Sequence, residues 1–259
     1  MIGSSRAYLR TRTVALARRL SGTVTRVEVA EPAIALTFDD GPNPACTPAL
    51  LKLLETHHAQ ATFFVLGRHA ARWPQLVRAI VARGHTVANH SWDHVSLPLL
   101  PRRRRLAQIV RTARLLKLLG GTRLFRPPYG HQTWRTRLEA ALCRHEVIAW
   151  SADPVDYQPD QEPGLTERLR AAMQPGNIVL LHDYIFRPDG GDPVRQERRA
   201  LLEALETILN ETAGRMAFVT VPALMQHGPA VRSQWTDLPG PAELPALRMH
   251  ATMEASYAR

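Results

Sequence analysis

The chain is poor in cysteine: Cys46 and Cys143 are the only two among its 259 residues. They form no Cys-x-x-Cys pair and no spacing typical of a metal site, which argues against a cysteine-ligated centre. We expect two reduced, partly buried thiols. A thiol beside a functional site is the alternative, because Cys46 follows closely on Asp39 and Asp40.

Long hydrophobic runs are also missing. No window approaches the roughly 18 consecutive apolar residues of a membrane-spanning helix. The apolar run at residues 14–17 is too short for a signal peptide. The N-terminus is nevertheless basic, with Arg6, Arg10, Arg12, Arg18 and Arg19. We therefore expect a cytoplasmic protein whose basic N-terminus makes at most weak contact with a membrane surface.

Acidic residues are fewer than basic ones: 23 Asp and Glu against 33 Lys and Arg give a formal charge of +10. This charge admits nucleic acid, anionic lipid or an acidic substrate as a partner. The strongest basic cluster, residues 101–120, predicts a helix with its arginines on a solvated face. Its apolar residues recur at helical spacing: Leu106, Ile109, Val110, Ala113, Leu116 and Leu119. No zinc-finger spacing or RNA-recognition signature accompanies the charge, so we expect no nucleic-acid partner.

Short β-rich runs alternate with helix-like segments along the chain. The strand candidates are residues 33–38, 61–66, 85–89, 123–125, 146–150, 177–181 and 216–221. The helix candidates are residues 47–57, 74–83, 102–119, 134–144, 165–173 and 195–210. Several strands are continuous apolar runs, as expected when both faces are buried. The pattern predicts an α/β fold with a mostly parallel sheet, and periodicity alone leaves both a closed barrel and an open sheet possible.

Polar residues follow five of the predicted strands. Asp39 and Asp40 follow the first, and "NHSWDH", which contains His90 and His94, follows the third. The later segments are "RPPYG", "WSADPVDY" and "LLHD". Because catalytic groups of parallel α/β folds gather at the carboxyl ends of strands, the five clusters predict one site.

Two of these clusters together indicate a metal site. The adjacent carboxylates of Asp39 and Asp40 are costly to ionise together unless a cation or two separate partners take them up. His90 and His94, on one helical turn, would present two imidazoles to one point. With one carboxylate they suit zinc or another divalent transition metal that can activate water. A lone HxxxH pair is more typical of surface histidines, so the matching strand ends are what favour a metal.

Five motifs resemble, in order, those of the polysaccharide deacetylases, the NodB homology domain of carbohydrate esterase family 4. They are "TFDDGP", "HSWDH", "RPPY", the aspartates of "WSADPVDY", and "IVLLHD". The resemblance covers residues 33–224 and is especially close to the rhizobial chitooligosaccharide deacetylases; several ordered motifs are more specific than any one. It implies a distorted (β/α)7 barrel at residues 29–226, after a basic extension (residues 1–28) and before a tail or surface strap (residues 227–259).

The resemblance also implies a role for each site residue. A divalent ion, Zn²⁺ or alternatively Co²⁺ or another transition metal, would be bound by Asp40, His90 and His94. Asp39 would be the catalytic base, oriented by Arg126. His182 would be the general acid, oriented by Asp156. The substrate pocket would be formed by Leu180, Trp150, Tyr157 and the backbone N–H of Tyr129.

The implied activity is metal-dependent removal of N-acetyl groups from N-acetylglucosamine oligosaccharides, which are then the expected partners. Tyr157 stands where the family usually has tryptophan, which leaves the choice of sugar open. The alternative substrates are a cell-wall or exopolysaccharide precursor and a small N-acetylated metabolite. A non-catalytic carbohydrate- or membrane-binding protein would have lost its base, ligand or acid, and all are present. No pattern indicates an oligomeric state.

Overall fold

The structure is a computed structural model of the chain. It describes residue 20 and residues 22–158, 163–187 and 196–257, with side chains described up to residue 252. Most of the predicted basic extension lies outside these residues, so its weak membrane contact stays a prediction.

The described strands form one parallel sheet and one small antiparallel pair. They are β1 (Thr23–Val27), β2 (Ala33–Asp39), β3 (Ala61–Val65), β4 (Thr86–Asn89), β5 (Leu124–Phe125), β6 (Glu146–Val147), β7 (Ile178–His182), β8 (Ala217–Phe218) and β9 (Ala230–Ser233). The parallel sheet has the order β6-β5-β4-β3-β2-β7, and β8 also pairs with β2. β1 pairs with β9.

The two outer strands of the parallel sheet approach each other. Ala152, just after β6, forms a parallel bridge with Val179 of β7, and the Leu180 N–H donates to the Ala152 carbonyl at 2.9 Å. β1 joins this region through a bridge between Val24 and Ile148. The sheet therefore curls into a distorted barrel, which confirms the predicted α/β class and decides between a barrel and an open sheet.

The structure describes nine helices, and six of them agree with the predicted segments to within a few residues at each end. The nine helices are α1 (Thr47–Thr56), α2 (Gly67–Arg72), α3 (Pro74–Ala82), α4 (Arg102–Leu118), α5 (Trp134–Leu142), α6 (Leu165–Ala172), α7 (Arg199–Thr212), α8 (Val221–Leu224) and α9 (Leu244–Tyr257). Their apolar faces follow helical spacing. In α7, for example, Leu201, Leu205 and Ile208 are buried in the main core.

Alternation along β2 divides its side chains between two apolar clusters. Ile34, Leu36 and Phe38 pack with the helices, whereas Ala33 and Ala35 belong to a second cluster with β1. Burying each large side chain stabilises the fold by about 1.5–3 kcal/mol. Because side chains alternate with a period of two, Asp39 lies on the same face as the two alanines. The strand thereby places a carboxylate inside the barrel at its carboxyl end.

The sequence analysis does not predict β1, β9, α2, α8 or α9. Val24 and Val27 of β1 are completely buried, although the strand lies in the predicted extension. β9 and α9 lie in the predicted tail. Strands this far apart in sequence leave no local hairpin signal, so only their contact in the fold defines them. The three-part division of the chain stays a prediction.

None of the helices in the described part of the chain is both long enough and apolar enough to cross a membrane.

A close backbone approach at Gly176 gives a stability prediction. Its φ is +81°, and an added Cβ would lie 1.9 Å from the Val27 carbonyl oxygen of β1. Gly214 has a φ of +70° but open space around it, so it is a matched control. Gly214→Ala should cost about 1 kcal/mol through φ alone. Gly176→Ala should cost at least about 3 kcal/mol because it also clashes. Urea denaturation measures both, and equal losses would contradict the contact.

Candidate metal centre and active site

The predicted site residues lie at the carboxyl ends of the strands. Asp39 ends β2 and His182 ends β7, and the two residues are direct partners in the sheet register. His90 and Arg126 follow β4 and β5 immediately. A cavity of about 630 Å³ opens at this edge of the barrel. The structure therefore brings these residues together, while their roles stay predictions.

Asp40, His90 and His94 form a buried cluster. Asp40 Oδ1 lies 3.0 Å from His94 Nε2 and 3.3 Å from His90 Nε2. One potential ligand atom from each residue lies within 4.8 Å of the others. Among the described residues, no other set of three His, Cys, Asp or Glu side chains converges in this way.

The hydrogen bonds around this cluster suit a cation. His90 Nδ1 donates to the Arg126 carbonyl at 2.8 Å, which turns the lone pair of Nε2 inward. Asp40 Oδ2 accepts from the Phe186 N–H at 2.8 Å, and buried Oδ1 has no hydrogen-bond partner.

The charge states of the cluster agree with this geometry. Burial lowers the pKa of His94 to about 4, so its imidazole is neutral. Burial opposes ionisation of Asp40, but its contacts with His94 and His90 and the more distant charge of His182 outweigh burial and lower its pKa well below the usual range. Two nitrogen lone pairs and one ionised oxygen fit a divalent transition metal, with coordination positions left open.

The two histidines do not lie on a helical turn, so that prediction is wrong. Residues 90–96 form a loop in which Ser91 and His94 have φ values of 71° and 58°. A right-handed helix requires negative φ. The Ser91 N–H donates to Asn89 Oδ1 at 2.9 Å, and the His94 N–H donates to Ser91 Oγ at 3.2 Å. The imidazoles therefore converge because side chains fix the loop.

Asp39 is separated from its neighbour by a different partner. Arg126 Nη1 donates to Asp39 Oδ1 at 2.8 Å and to Thr37 Oγ1 at 2.8 Å, and Nη2 donates to the Ala149 carbonyl at 2.8 Å. The guanidinium is completely buried and lies over the Phe64 ring, 4.1 Å from its centre. The adjacent carboxylates thus have separate partners, which relieves their repulsion.

His182 is held by a second buried ion pair. Its Nδ1 lies 2.8 Å from Asp156 Oδ1, and its backbone N–H donates to Asp156 Oδ2 at 2.9 Å. Arg198 Nη2 also donates to Asp156 Oδ2, at 2.7 Å. Burial alone would lower the pKa of His182, but Asp156 and the more distant Asp40 and Asp39 raise it to about 9. The imidazole is therefore protonated at neutral pH.

The four residues predicted to form the pocket all line the cavity: Tyr129, Trp150, Tyr157 and Leu180. The ring of Tyr129 lies 4.4 Å from that of His94, in a short turn where its φ is 60°. Tyr157 packs edge-on against His182 at 5.2 Å, and its hydroxyl donates to Asp153 Oδ2 at 3.4 Å. This hydroxyl makes the wall beside the predicted acid more polar.

Several contributors to the cavity and its hydrogen bonds are absent from the sequence prediction. The Phe186 backbone fixes Asp40, and the run "YIF" after His182 was a signal of an apolar wall. Arg198 fixes Asp156 but lies among other arginines, so nothing in the sequence distinguishes it. Asp237, Leu238 and residues 240–243 line the cavity from a later part of the chain, where no motif marks them.

Comparison with known proteins identifies the family. The family model described as polysaccharide deacetylase matches residues 26–148. A chitooligosaccharide deacetylase of Sinorhizobium fredii is 38% identical over 164 residues, which are 62% of this chain and 76% of that protein. The chain belongs to the polysaccharide deacetylase family. The matched segment contains Arg126 and the three candidate metal ligands, Asp40, His90 and His94. Asp156 and His182 follow it.

Other relatives of this polysaccharide deacetylase are named for peptidoglycan. A peptidoglycan-N-acetylglucosamine deacetylase of Bacillus cereus is 32% identical over 209 residues, which are 80% of this chain and 71% of that protein. The crystal structure of a peptidoglycan N-acetylglucosamine deacetylase matches with a TM-score of 0.71 and 28% identity, over 79% of this chain and 93% of that one. These matches confirm the NodB-type barrel of carbohydrate esterase family 4.

Metal content should separate the two adjacent aspartates of this deacetylase. Asp40→Asn should weaken Zn²⁺ binding at least about tenfold, because it removes the charged ligand. Asp39→Asn should retain the ion, because Asp39 pairs with Arg126 instead. Elemental analysis after zinc loading and dialysis measures both, with Asp153→Asn as a control from the same cavity. Loss in Asp39→Asn with retention in Asp40→Asn would reverse the assignment.

The ion pair at His182 predicts a change in titration. Asp156→Asn should lower the His182 pKa from about 9 to below 6.5, because burial then acts without its main opposing charge. NMR of the imidazole in chelator-treated protein measures this value. In the unchanged chain the pair stabilises folding fully below pH 6.5 and less as pH rises through about 9. The difference in Tm between the two proteins should shrink across that range, and an unchanged pKa would contradict the pairing.

Proposed function

We propose that the chain hydrolyses the N-acetyl amide of soluble N-acetylglucosamine oligosaccharides, with a divalent metal, Zn²⁺, at Asp40, His90 and His94. One observation carries the proposal. Asp39 and His182 are paired across β2 and β7, and each is fixed by its own ion pair beside the metal cluster. One cavity thus holds a carboxylate paired with an arginine and a protonated imidazole, a base and an acid of the kind that amide hydrolysis requires.

Asp39 acts as the base. Its Oδ1 is bound to Arg126, and its Oδ2 lies 3.6 Å from His90 Nε2, at the edge of the metal cluster. The buried guanidinium donates to Oδ1 and fixes the orientation of the carboxylate, so Oδ2 remains to accept a proton from the attacking water. A metal-bound carboxylate would be a weaker base, which is why the two aspartates have different roles.

His182 acts as the acid. Its Nδ1 is engaged by Asp156, so Nε2 carries the proton that is given to the leaving nitrogen. Asp156 keeps the imidazole charged, and Arg198 keeps Asp156 in place. The Tyr129 N–H binds the oxygen of the tetrahedral intermediate, while Leu180 and Trp150 contact the acetyl methyl group. When bound, a divalent metal supplies carbonyl polarisation and lowers the pKa of water.

The choice of sugar rests on the relatives. The chitooligosaccharide deacetylase of S. fredii and the peptidoglycan-N-acetylglucosamine deacetylase of B. cereus share N-acetylglucosamine in their substrates, by name. We favour free oligosaccharides because the rhizobial relative has the higher identity, 38% against 32%. A cell-wall or exopolysaccharide precursor is the second candidate, favoured by the B. cereus match. The cytoplasmic location stays a prediction from the sequence.

Acetate release tests the proposal. The zinc-loaded chain should release acetate from soluble β-1,4-linked N-acetylglucosamine oligomers, with a matching loss of mass, and a strong chelator should abolish this. Zn²⁺ or Co²⁺ should restore it. Asp39→Asn should be inactive, and His182→Ala should be slower by about 10²–10⁴-fold, because each removes one proton transfer.

His57→Ala is the matched control for His182→Ala, because His57 lies at the end of α1 and outside the cavity. It should keep the full rate. Full activity of a verified metal-free sample would overturn the metal chemistry. If oligomers are untouched while a peptidoglycan fragment or a small N-acetylated metabolite releases acetate, the chemistry stands and the oligosaccharide assignment is wrong.

A further inference from the structure

A segment near the C-terminus crosses the cavity. We call residues 234–243, between β9 and α9, the C-terminal strap. At its start the Trp235 ring packs edge-on against the Trp150 ring, with centres 5.0 Å apart. The Trp235 Nε1–H donates to the Gly130 carbonyl at 3.2 Å, and Arg137 Nη2 donates to Gln234 Oε1 at 2.7 Å. The strap is therefore attached to the Tyr129 and Trp150 side of the cavity.

The middle of the strap is held by backbone hydrogen bonds. The Gln132 N–H donates to the Asp237 carbonyl at 2.9 Å, and the Asp237 N–H donates to the Gln132 carbonyl at 3.1 Å. Gln132 is itself anchored, because its Nε2 donates to Thr23 Oγ1 of β1 at 2.9 Å. Near its end, Glu243 Oε2 accepts from the Gly240 N–H at 2.9 Å. These bonds give the strap a defined path.

Helix α9 attaches the other end on the metal side. The His250 ring lies 5.0 Å from the Phe186 ring, and the Phe186 ring lies 4.5 Å from that of His94. Leu247, on the same helix, is also buried. The chain thus passes from the wall at Trp150 to the wall beside the metal cluster.

The strap contributes directly to the cavity surface. Asp237, Leu238 and residues 240–243 line the same cavity of about 630 Å³ as Asp39 and His182. Cavities of about 300–1,000 Å³ enclose a ligand of drug size, which corresponds to a few sugar rings. A longer oligosaccharide would have to leave the cavity, and the strap blocks the side that it covers.

We propose that the C-terminal strap is a fixed wall of the substrate cavity that ends its contacts with an oligosaccharide after a few sugar units. Trp235 anchors the wall, and Leu238 is the strap side chain that contacts the sugar. This inference rests on the proposed oligosaccharide substrate. Its consequence is that affinity stops rising with oligomer length once the cavity is filled, and that opening the wall lets additional units bind.

Two variants with matched controls test the wall. Trp235→Ala removes the anchor, and Leu238→Ala truncates the wall while leaving the anchor intact. Trp134→Ala and Leu142→Ala are the controls, because both residues lie on α5 and neither lines the cavity. Leu142 and Leu238 are both 55% exposed, so their truncations are equivalent in burial.

Calorimetry of three-unit and six-unit N-acetylglucosamine oligomers provides the measurement, with zinc-loaded protein carrying Asp39→Asn to prevent turnover. When Asp39→Asn is the only substitution, the three-unit and six-unit oligomers should bind with equal Kd. In Trp235→Ala the six-unit oligomer should bind about tenfold more tightly than the three-unit one, and in Leu238→Ala about threefold more tightly. The controls should show no gain. With Asp39 restored, the ratio of the KM values for the two lengths should follow the same pattern in each variant.

Several outcomes would overturn the proposal that the strap limits oligosaccharide binding. One is affinity that already rises steeply from three to six units before the strap is changed. Another is a ratio of three-unit Kd to six-unit Kd that is the same in Leu238→Ala and Leu142→Ala. This comparison holds even if Trp235→Ala fails to fold. Failure to bind any oligomer also overturns it. Binding without acetate release from the active chain would contradict the proposed function alone, because the Kd ratios would still test the wall.

Discussion

The arrangement of the site depends on one residue, Arg126, which is completely buried at the carboxyl end of β5. Taking a guanidinium out of water is costly unless an opposite charge and good hydrogen bonds offset the loss. Asp39, Thr37 and the Ala149 carbonyl provide these, each at 2.8 Å. Its backbone carbonyl meanwhile accepts from His90 Nδ1. The same residue therefore holds the predicted base and orients a predicted metal ligand.

This double contact explains how adjacent aspartates coexist. Asp39 continues β2 and is directed by the period of the strand to Arg126, whereas Asp40 has a φ of 73° and turns towards the two imidazoles. Asp39 pairs with a guanidinium, and Asp40 lies beside two imidazoles that could bind a cation with it. The separate partners relieve the repulsion between the two carboxylates. His182 repeats the principle, since Asp156 and Arg198 form a second buried pair beneath it.

The barrel makes these pairs possible because parallel strands deliver their carboxyl ends to one edge. Small residues such as Ala33 and Ala35 lie on the face of β2 that also carries Asp39, while Phe38 and its neighbours pack with the helices. Two segments outside the motifs then complete the structure: β1 pairs with β9, and the strap that follows β9 covers part of the cavity. Packing far from the motifs thus shapes the space in which the motifs work.

The sequence by itself determined the α/β class, the approximate bounds of most elements and the family, because hydrophobic periodicity and ordered motifs are local signals. It also singled out the residues that the cavity brings together, since strand ends are readable from the chain. Only the tertiary structure decided how His90 and His94 converge, because the loop depends on Asn89 and Ser91 rather than on helical spacing. Arg198, Phe186 and Trp235 likewise could not be read from the sequence. Their positions depend on contacts between distant segments, and nothing local distinguishes them from their neighbours.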